Sequence, residues 1–259
     1  MIKNIIFVII FVVIIISILV IVCKKNKESF IVPSKNIDVA LIFACYNIDL
    51  LDYNFINKYK NKIKIYVINS GNISEYGEKL KHDSEIMFIT RENKGWDTTA
   101  WKEIIFKYYQ KLSNYDLIIL ANNSCRYDFD LIKLCQQASF YDMFGLVRSR
   151  EITEHLQTYF IIIHNHLFKT KDFQNYWKNI PEIRNRNDAI KYHELSFMKY
   201  FNDLGYKIGN YDNSGINVYG IQELDSDRNY YPEFVKKKIL NPAFSIEDYE
   251  RYIKSNFKF

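Results

Sequence analysis

Cysteines are scarce in this chain, and their positions exclude a disulfide framework. The 259 residues include only four, at Cys23, Cys45, Cys125 and Cys135, and their spacing does not suggest pairs. Reduced thiols are typical of proteins that face the cytoplasm. Internal repeats and low-complexity segments are also missing from the sequence, so a repeat architecture is excluded.

A large excess of charge of one sign is lacking as well. The 35 Lys and Arg residues are scattered among 30 Asp and Glu residues, and the formal net charge is +5. Nucleic-acid binding usually needs a clustered basic surface, so we expect no nucleic-acid partner. The length allows one large α/β domain and leaves little room for a second.

One long apolar run is present at the amino terminus. From Ile5 to Val22 it is interrupted only by Ser17, and a helix over this run would span about 27 Å, close to the thickness of a bilayer core. We predict a transmembrane anchor over residues 1–23, a linker over residues 24–36 and one globular domain over residues 37–259. A signal peptide is the alternative, but the run is long for one and no small-x-small cleavage site follows.

The flanking charges give an expected orientation for this single-pass membrane protein. Lys24, Lys25 and Lys27 follow the run, whereas only Lys3 precedes it. The positive-inside bias therefore favours a cytoplasmic catalytic domain, and a lumenal domain is the alternative. The membrane is accordingly an expected partner.

The globular part alternates short apolar runs with helix-length segments. In its first half the runs cover residues 39–45, 63–68, 86–90 and 117–120, and such runs are typical of parallel strands buried on both faces. In the second half we predict strands over residues 144–148, 155–164 and 206–209, and helices over residues 169–178 and 188–204. The expected fold is α/β, a Rossmann-like, mixed but mainly parallel sheet flanked by helices.

Each strand of the first half ends in small or polar residues. In an open α/β sheet these ends meet at one crevice, so we predict that the turns share a pocket for a nucleotide-sugar donor. The candidate donor-binding residues are Tyr46, Asn69, Arg91, Asn93, Gly95, Asp97, Asn122, Asn123 and Ser124. Taken one turn at a time, the alternative is that Asn, Ser and Gly are ordinary turn formers.

The glycine turn before the helix is suited to a phosphate. Gly95 would let the backbone approach closely, and the amides that open the helix would favour negative charge. Arg91 could add a charge-assisted contact. Asp97 is interpreted either as the N-cap of a helix beginning at Thr98 or as a ligand contact, and the two roles are compatible.

The turn at residues 122–124 lacks carboxylates. Mg²⁺ and Mn²⁺ prefer carboxylate oxygens, so two amides and a hydroxyl predict at most weak binding of either cation, aided by Asp128 or Asp130. Alternatively, Arg126 and Lys94 neutralise the leaving diphosphate.

The predicted strand over residues 155–164 carries polar side chains near both ends. His155 and Gln157 share one face by the period of two, and we predict that they bind a sugar acceptor; an exposed histidine at a strand end is the alternative. His164 and His166 are a candidate metal pair, although isolated histidines are usually structural.

Glu194 is the candidate general base. At 100° per residue it shares a helix face with Met198 and Phe201, and a carboxylate on an apolar stripe is costly unless it is paired or lines a cavity. An inverting sugar transfer needs a carboxylate within reach of the acceptor hydroxyl. A buried ion pair or a capping interaction is the alternative.

These motifs resemble those of a known family. The chain is identified as a member of the rhamnan synthesis protein F family over roughly residues 37–240, because several separated motifs occur in the family's order and approximate spacing. The motifs are RENKGWDTTAW, YDLIILANNS, FGLVRS, HLQTYF and the Glu194 helix ending in Leu204-Gly205-Tyr206. The resemblance implies a GT-A fold similar to family 2 glycosyltransferases. It also implies transfer of a sugar, typically rhamnose from a deoxythymidine diphosphate donor, to a cell-surface polysaccharide.

The resemblance also implies roles for particular residues. Glu194 occupies the place of the catalytic acidic residue, and residues 122–124 occupy the Asp-x-Asp place. Asn93, Gly95 and Asp97 match the family's Asn-x-Gly-x-Asp. We therefore expect a membrane-anchored, inverting glycosyltransferase with a nucleotide-sugar donor and a glycan or lipid-linked saccharide acceptor.

Two other functions remain open. The family usually has Asn-Asp-Ser where this chain has Asn122-Asn123-Ser124, and the missing carboxylate suggests a catalytically inactive, glycosyltransferase-like scaffold that binds glycans or a partner enzyme. A membrane-tethered structural or adhesion protein is the second alternative. Donor binding and turnover separate the three functions, since the scaffold would bind without turnover and the structural protein would do neither.

Overall fold

The computed structural model describes residues 37–150, 152–212 and 234–236. The first half of this part alternates strands with helices. The elements in chain order are β1 (Val39–Cys45), α1 (Leu50–Tyr59), β2 (Lys64–Asn69), α2 (Glu75–Lys81), β3 (Ile86–Thr90), α3 (Trp96–Lys107), α4 (Tyr109–Leu112) and β4 (Leu117–Asn122). Two of the helices in this first half have side-chain N-caps: Asp49 caps α1 and Ser74 caps α2. The side-chain oxygens of Asp and Ser accept hydrogen bonds from the free amides at a helix start.

The second half is less regular. Its elements are β5 (Cys125–Tyr127), α5 (Leu131–Ala138), β6 (Met143–Ser149), β7 (His155–Leu156), β8 (Phe160–His164), α6 (Asn165–Phe168), α7 (Lys171–Asn179), α8 (Arg186–Ala189), a π-helix (Ile190–Glu194), α9 (Leu195–Asp203), β9 (Ile208–Asp212) and β10 (Phe234–Lys236). The π-helix continues directly into α9, so Glu194 lies at the junction of the two.

One mixed sheet forms the centre of the described chain. Its strand order is β3-β2-β1-β4-β8-β6-β7, and β9 lies beside β6. The strands β3, β2, β1 and β4 are parallel to one another. β8 runs antiparallel to both β4 and β6, and β9 runs parallel to β6. β10 pairs with β5 outside this sheet.

Apolar side chains fill both faces of the sheet. Leu41 and Phe43 of β1 pack on one face with α1 and α5, whereas Ala40 and Ile42 pack on the other with α3, α7 and α9. Burial on both faces explains why the strands are continuous apolar runs and do not alternate with polar residues. This mixed α/β arrangement agrees with the expected architecture, while the GT-A assignment stays a prediction.

Two predicted elements differ from the observed ones. The strand expected over residues 155–164 is broken into β7 and β8, because Gln157 donates its backbone N–H to Val147 of β6 and Tyr159 accepts from the N–H of Asn122. The helix expected over residues 188–204 begins as α8 and passes through the π-helix before α9. Both irregular segments lie at the cleft described below, as π-turns often do.

The predicted membrane anchor and linker, residues 1–36, lie outside the described residues. Within the part of the chain that the structure describes, no helix has the length and apolar character needed to cross a bilayer. The longest helix there, α3, has 12 residues and covers about 18 Å, against a hydrocarbon core of about 30 Å. The prediction of an amino-terminal transmembrane helix and of a single-pass membrane location is corrected to what this finding supports, which is no membrane span in the described residues.

Candidate active site

A cleft of about 380 Å³ opens where β4 ends and α3 begins. Its opposite wall is formed by the segment around β7 and by the π-helix. Six of the predicted site residues line it: Asp97, Asn122, Ser124, His155, Gln157 and Glu194. The cleft thus lies at the carboxyl end of parallel strands, which is the expected place for a ligand in an α/β sheet.

The backbone is strained where α3 begins. Gly95 has φ 74°, and a Cβ added there would lie 2.0 Å from the hydroxyl oxygen of Thr99, so both the dihedral angle and the space require glycine. Trp96 follows with φ 52°, the one residue other than glycine with positive φ in the described chain. Such strain in a bulky residue is costly and tends to occur at functional sites. Trp96 is exposed and lines the cleft.

Asp97 lies in the first turn of α3, and Gly95 occupies the N-cap position. The prediction of Asp97 as the N-cap of a helix beginning at Thr98 is therefore wrong. The Asp97 carboxylate instead accepts a hydrogen bond of 2.5 Å from the side-chain amide of Asn122. This contact joins the start of α3 to the turn after β4.

The turn after β4 is held by its own side chains. The Asn122 Oδ1 accepts from the backbone N–H of Ser124 at 3.0 Å and from its hydroxyl at 2.5 Å. Asn123 is directed elsewhere, because its amide donates to the backbone oxygen of Asn47 at 2.8 Å. The turn therefore has a fixed shape before any ligand binds.

Glu194 lies beside His155 in the cleft wall. The Glu194 side chain is one-fifth exposed, and its Oε1 lies 3.8 Å from Nε2 of the buried His155. The Nδ1 of His155 lies 2.8 Å from the carbonyl oxygen of Thr153. Because a carbonyl can only accept, Nδ1 carries the hydrogen, and in the neutral ring Nε2 accepts from the amide of Gln157 at 3.2 Å.

The sequence matches one known family over most of its length. The family model described as Rhamnan synthesis protein F matches residues 65–236. The chain belongs to the rhamnan synthesis protein F family. Membership confirms the resemblance seen in the motifs.

The individual proteins that resemble this chain have low sequence identity to it. The uncharacterized protein y4gN of Sinorhizobium fredii (strain NBRC 101917 / NGR234) is 22% identical over 152 residues, which cover 56% of this chain and 39% of that protein. The glycosyltransferase GlyE of Streptococcus pneumoniae TIGR4 is similar in two crystal structures. Its apo form has a TM-score of 0.37 at 12% identity and covers 66% of this chain and 45% of that one.

The second GlyE structure has a TM-score of 0.33 at 13% identity and covers 61% of this chain and 44% of that one. Similarity this low assigns no residue and no reaction to the chain. The chain spans less than half the length of these relatives. The donor, acceptor and stereochemistry are therefore matters for proposal.

Several predicted donor residues of this family member lie away from the cleft lining. Arg91 forms two 2.9 Å contacts with the carboxylate of Glu103 and a third, of 2.7 Å, with the backbone oxygen of Lys94. Asn69 is buried and donates to the backbone oxygen of Gly71 at 2.7 Å. Tyr46, Asn93, Gly95 and Asn123 likewise do not line it. Their donor-binding role stays a prediction.

The other basic and histidine candidates also lie elsewhere. Arg126 pairs with Asp128 at 2.6 Å, and neither it nor Lys94 lines the cleft. His164 pairs in the sheet with Leu117 at the start of β4, which is the edge opposite the cleft. Burial, and secondarily the neighbouring His166, lower the pKa of His164.

The residues of the Asp-x-Asp place do not fit a protein-held divalent cation. The side-chain oxygen of Asn122 already accepts two hydrogen bonds from Ser124. The side-chain NH₂ of Asn122 donates to the Asp97 carboxylate. Asp130 caps α5, and Asp128 is paired with Arg126. Across the described ranges no cluster of three His, Cys, Asp or Glu side chains could hold a metal ion.

Among the lining residues that were not predicted from the sequence, two carry a basic or imidazole side chain. Arg186 of α8 is exposed and is the one Lys or Arg side chain among the described residues of the cleft lining. His193 is 2% exposed and packs against Trp101, Trp177 and Phe197. Burial lowers the pKa of His193 to about 3, so the ring is neutral. A regular helix turns residue 193 away from the face of Glu194, and the sequence gives no signal for the π-turn.

Proposed function

We propose that this chain transfers a sugar from a nucleoside diphosphate donor to a hydroxyl group of a glycan or lipid-linked saccharide, with inversion at the anomeric carbon. The family's description makes rhamnose or a related deoxyhexose the first donor sugar to test. The observation that supports the proposal is the single cleft that contains Glu194 together with Asp97 and the turn after β4.

In this mechanism Glu194 is the general base. Its carboxylate accepts the proton of the acceptor hydroxyl while the hydroxyl oxygen forms a bond to the anomeric carbon. The bond from that carbon to the diphosphate oxygen breaks, and its electron pair leaves with the nucleoside diphosphate. A carboxylate that is partly buried and next to an imidazole is suited to this role, because proton transfer needs a positioned base within reach.

His155 and Gln157 position that base in the proposal. His155 is fixed by Thr153 through Nδ1 and by the Gln157 amide through Nε2, and its Nε2 lies 3.8 Å from Oε1 of Glu194, a packing contact and not a hydrogen bond. A buried ring held at both nitrogens restricts where the neighbouring carboxylate can lie. The predicted role of these two residues in acceptor binding is kept, since both line the cleft beside Glu194.

The diphosphate is proposed to bind at the start of α3. The strained turn at Gly95 and Trp96 begins a helix of 12 residues whose first amides have no side-chain cap, and such amides favour a phosphate. Arg186 supplies a cation on the opposite wall. A guanidinium can hold a diphosphate oxygen and stabilise the leaving group.

A donor panel tests the proposed function. The full chain is incubated with dTDP, UDP and GDP sugars and with saccharide acceptors, with Mn²⁺ and with EDTA, and release of nucleoside diphosphate is measured. Transfer with an inverted anomeric proton signal by NMR is the expected result, and it should persist in EDTA. Binding without transfer to any acceptor would instead favour the inactive scaffold.

A further inference from the structure

The floor of the cleft contains two buried polar atoms without partners in the described chain. They are Oε1 of Gln157 and Nε2 of His193. Both residues line the cleft, and they are 1% and 2% exposed. A buried polar atom without a hydrogen bond is costly, so these two atoms are available to a ligand that enters the cleft.

The orientation of the Gln157 amide follows from its neighbour. Because His155 carries its hydrogen on Nδ1, its Nε2 can only accept, and the Gln157 nitrogen must face it. The Gln157 oxygen is then the free end of the amide. It can accept a hydrogen bond and cannot donate one.

His193 is neutral and fixed on one side. Its Nδ1 lies 3.1 Å from the hydroxyl of Tyr176, and its ring is packed against Trp101, Trp177 and Phe197 at centroid distances of 5.8, 5.1 and 4.8 Å. Nε2 is the nitrogen left for a ligand. Whichever ring nitrogen carries the hydrogen, a hydroxyl group can satisfy Nε2, since a hydroxyl both donates and accepts.

We propose that Gln157 and His193 form a subsite that recognises hydroxyl groups of an uncharged sugar ring held beside Glu194. Gln157 and His193 carry no positive charge that would attract a carboxylate. Asp97 and Glu194 line the same cleft, and its one Lys or Arg side chain among the described residues, Arg186, is the proposed partner of the diphosphate. A uronic acid would meet these two carboxylates and is therefore rejected. The inference rests on the proposed function for the identity of the ligand as a sugar.

Binding measurements on the full chain test the subsite. The probes are dTDP, dTDP-L-rhamnose, methyl α-L-rhamnoside, UDP-glucose and UDP-glucuronate, measured by calorimetry. The variants are His193→Phe, which keeps an aromatic ring without nitrogen, and Gln157→Met, which keeps the length without the amide. Trp177→Phe is the matched control, because its Nε1 is also buried without a partner in the described chain but Trp177 does not line the cleft.

Each subsite variant should weaken binding of a saccharide probe by about fivefold to tenfold, the loss expected for one hydrogen bond. The affinity for dTDP should stay within about twofold, and the control should stay close to the wild-type chain. A loss confined to dTDP-L-rhamnose places the donor sugar at the subsite, and a loss confined to methyl α-L-rhamnoside places the acceptor there. The wild-type chain should bind UDP-glucose at least about tenfold more tightly than UDP-glucuronate.

Unchanged saccharide affinity in both variants would overturn the subsite. An affinity for dTDP that falls as much as the affinity for the saccharides would also overturn it. So would a wild-type chain that binds UDP-glucuronate as tightly as UDP-glucose, or one that binds no saccharide probe. If His193→Phe does not fold, Gln157→Met decides the matter alone. The fate of the proposed function is read separately from turnover. If the wild-type chain transfers sugar and both variants bind saccharides normally, the subsite is wrong and the proposed function stands. If both variants lose saccharide binding but the wild-type chain transfers no sugar, the subsite stands and the proposed enzyme activity is wrong.

Discussion

The two halves of the described chain contribute unequally to the cleft. The first half, through β4, supplies the parallel strands and a shaped backbone at the start of α3, but much of its polar chemistry is used internally, as in the Arg91–Glu103 pair. The second half supplies Glu194, His155, Gln157, His193 and Arg186. The regular half therefore builds the scaffold, and the irregular half carries the reactive groups.

This contrast links local irregularity to function. The broken strand between β7 and β8 places Gln157 in the cleft wall, and the π-helix brings both His193 and Glu194 to it. A regular strand or helix would turn neighbouring side chains to different sides. Substitutions of the cleft-lining side chains of the second half should therefore impair chemistry or binding, and substitutions of internally paired side chains of the first half, such as Arg91, should mainly impair stability.

The largest effect is expected from Glu194→Gln. Removing the general base should lower kcat by roughly a thousandfold, while donor affinity and the free energy of unfolding change little, because the amide has the same shape. Steady-state kinetics and calorimetry measure both quantities. Glu182→Gln is the control, since Glu182 is an exposed carboxylate paired with Arg184 outside the cleft; equal activity of the two variants would remove Glu194 from catalysis.

The next effect concerns the neutral ring of His193. Its pKa of about 3 in the folded chain lies below the ordinary value of 6.5, so between these values the unfolded chain binds a proton that the folded chain does not. The free energy of unfolding should therefore fall as the pH is lowered from 6.5 towards 3, by about 2 kcal/mol from this residue at pH 5.

Urea unfolding of the wild-type chain and of His193→Phe at pH 8 and pH 5 measures this contribution. The difference in stability between the two should shift by about 2 kcal/mol in favour of the variant at pH 5, because phenylalanine does not titrate. A difference that is the same at both pH values would mean that His193 is charged or accessible in the folded chain.

A smaller effect is expected from Arg186→Gln. Losing one charge-assisted contact to the diphosphate should weaken donor binding by about tenfold and leave stability unchanged, because Arg186 is exposed. Isothermal calorimetry with the nucleoside diphosphate alone isolates this contact. Arg184→Gln removes a nearby exposed cation that does not line the cleft, and a similar loss in that variant would indicate a general charge effect.

The smallest effect is expected from a substitution in the first half of the described chain. Arg91→Ala breaks the pair with Glu103 and the contact with the backbone of Lys94, and should lower the free energy of unfolding by about 1 kcal/mol, since one member of the pair is half exposed. Donor affinity should not change. The free energy of unfolding should fall by a similar amount in Glu103→Ala, and in the double variant by less than the sum of the two. Weaker donor binding by Arg91→Ala would mean that Arg91 contacts the donor.

The regular elements could be predicted from the sequence, whereas the site could be predicted only in part. The bounds of β1 follow from its apolar run, because burial on both faces leaves a clear signal. The break before Phe160 depends on hydrogen bonds to β6 and β4 that are distant in the chain. Periodicity cannot show such bonds, nor can it show which carboxylate Arg91 will meet.

The position of a bound donor tests the central claim most directly. A crystal structure of Glu194→Gln with dTDP-L-rhamnose is the measurement, because the variant should bind the donor without consuming it. The diphosphate should lie at the start of α3 near Arg186, and the sugar ring should lie between residue 194 and the turn after β4. A donor bound on another surface, or a sugar ring directed away from residue 194, would contradict it.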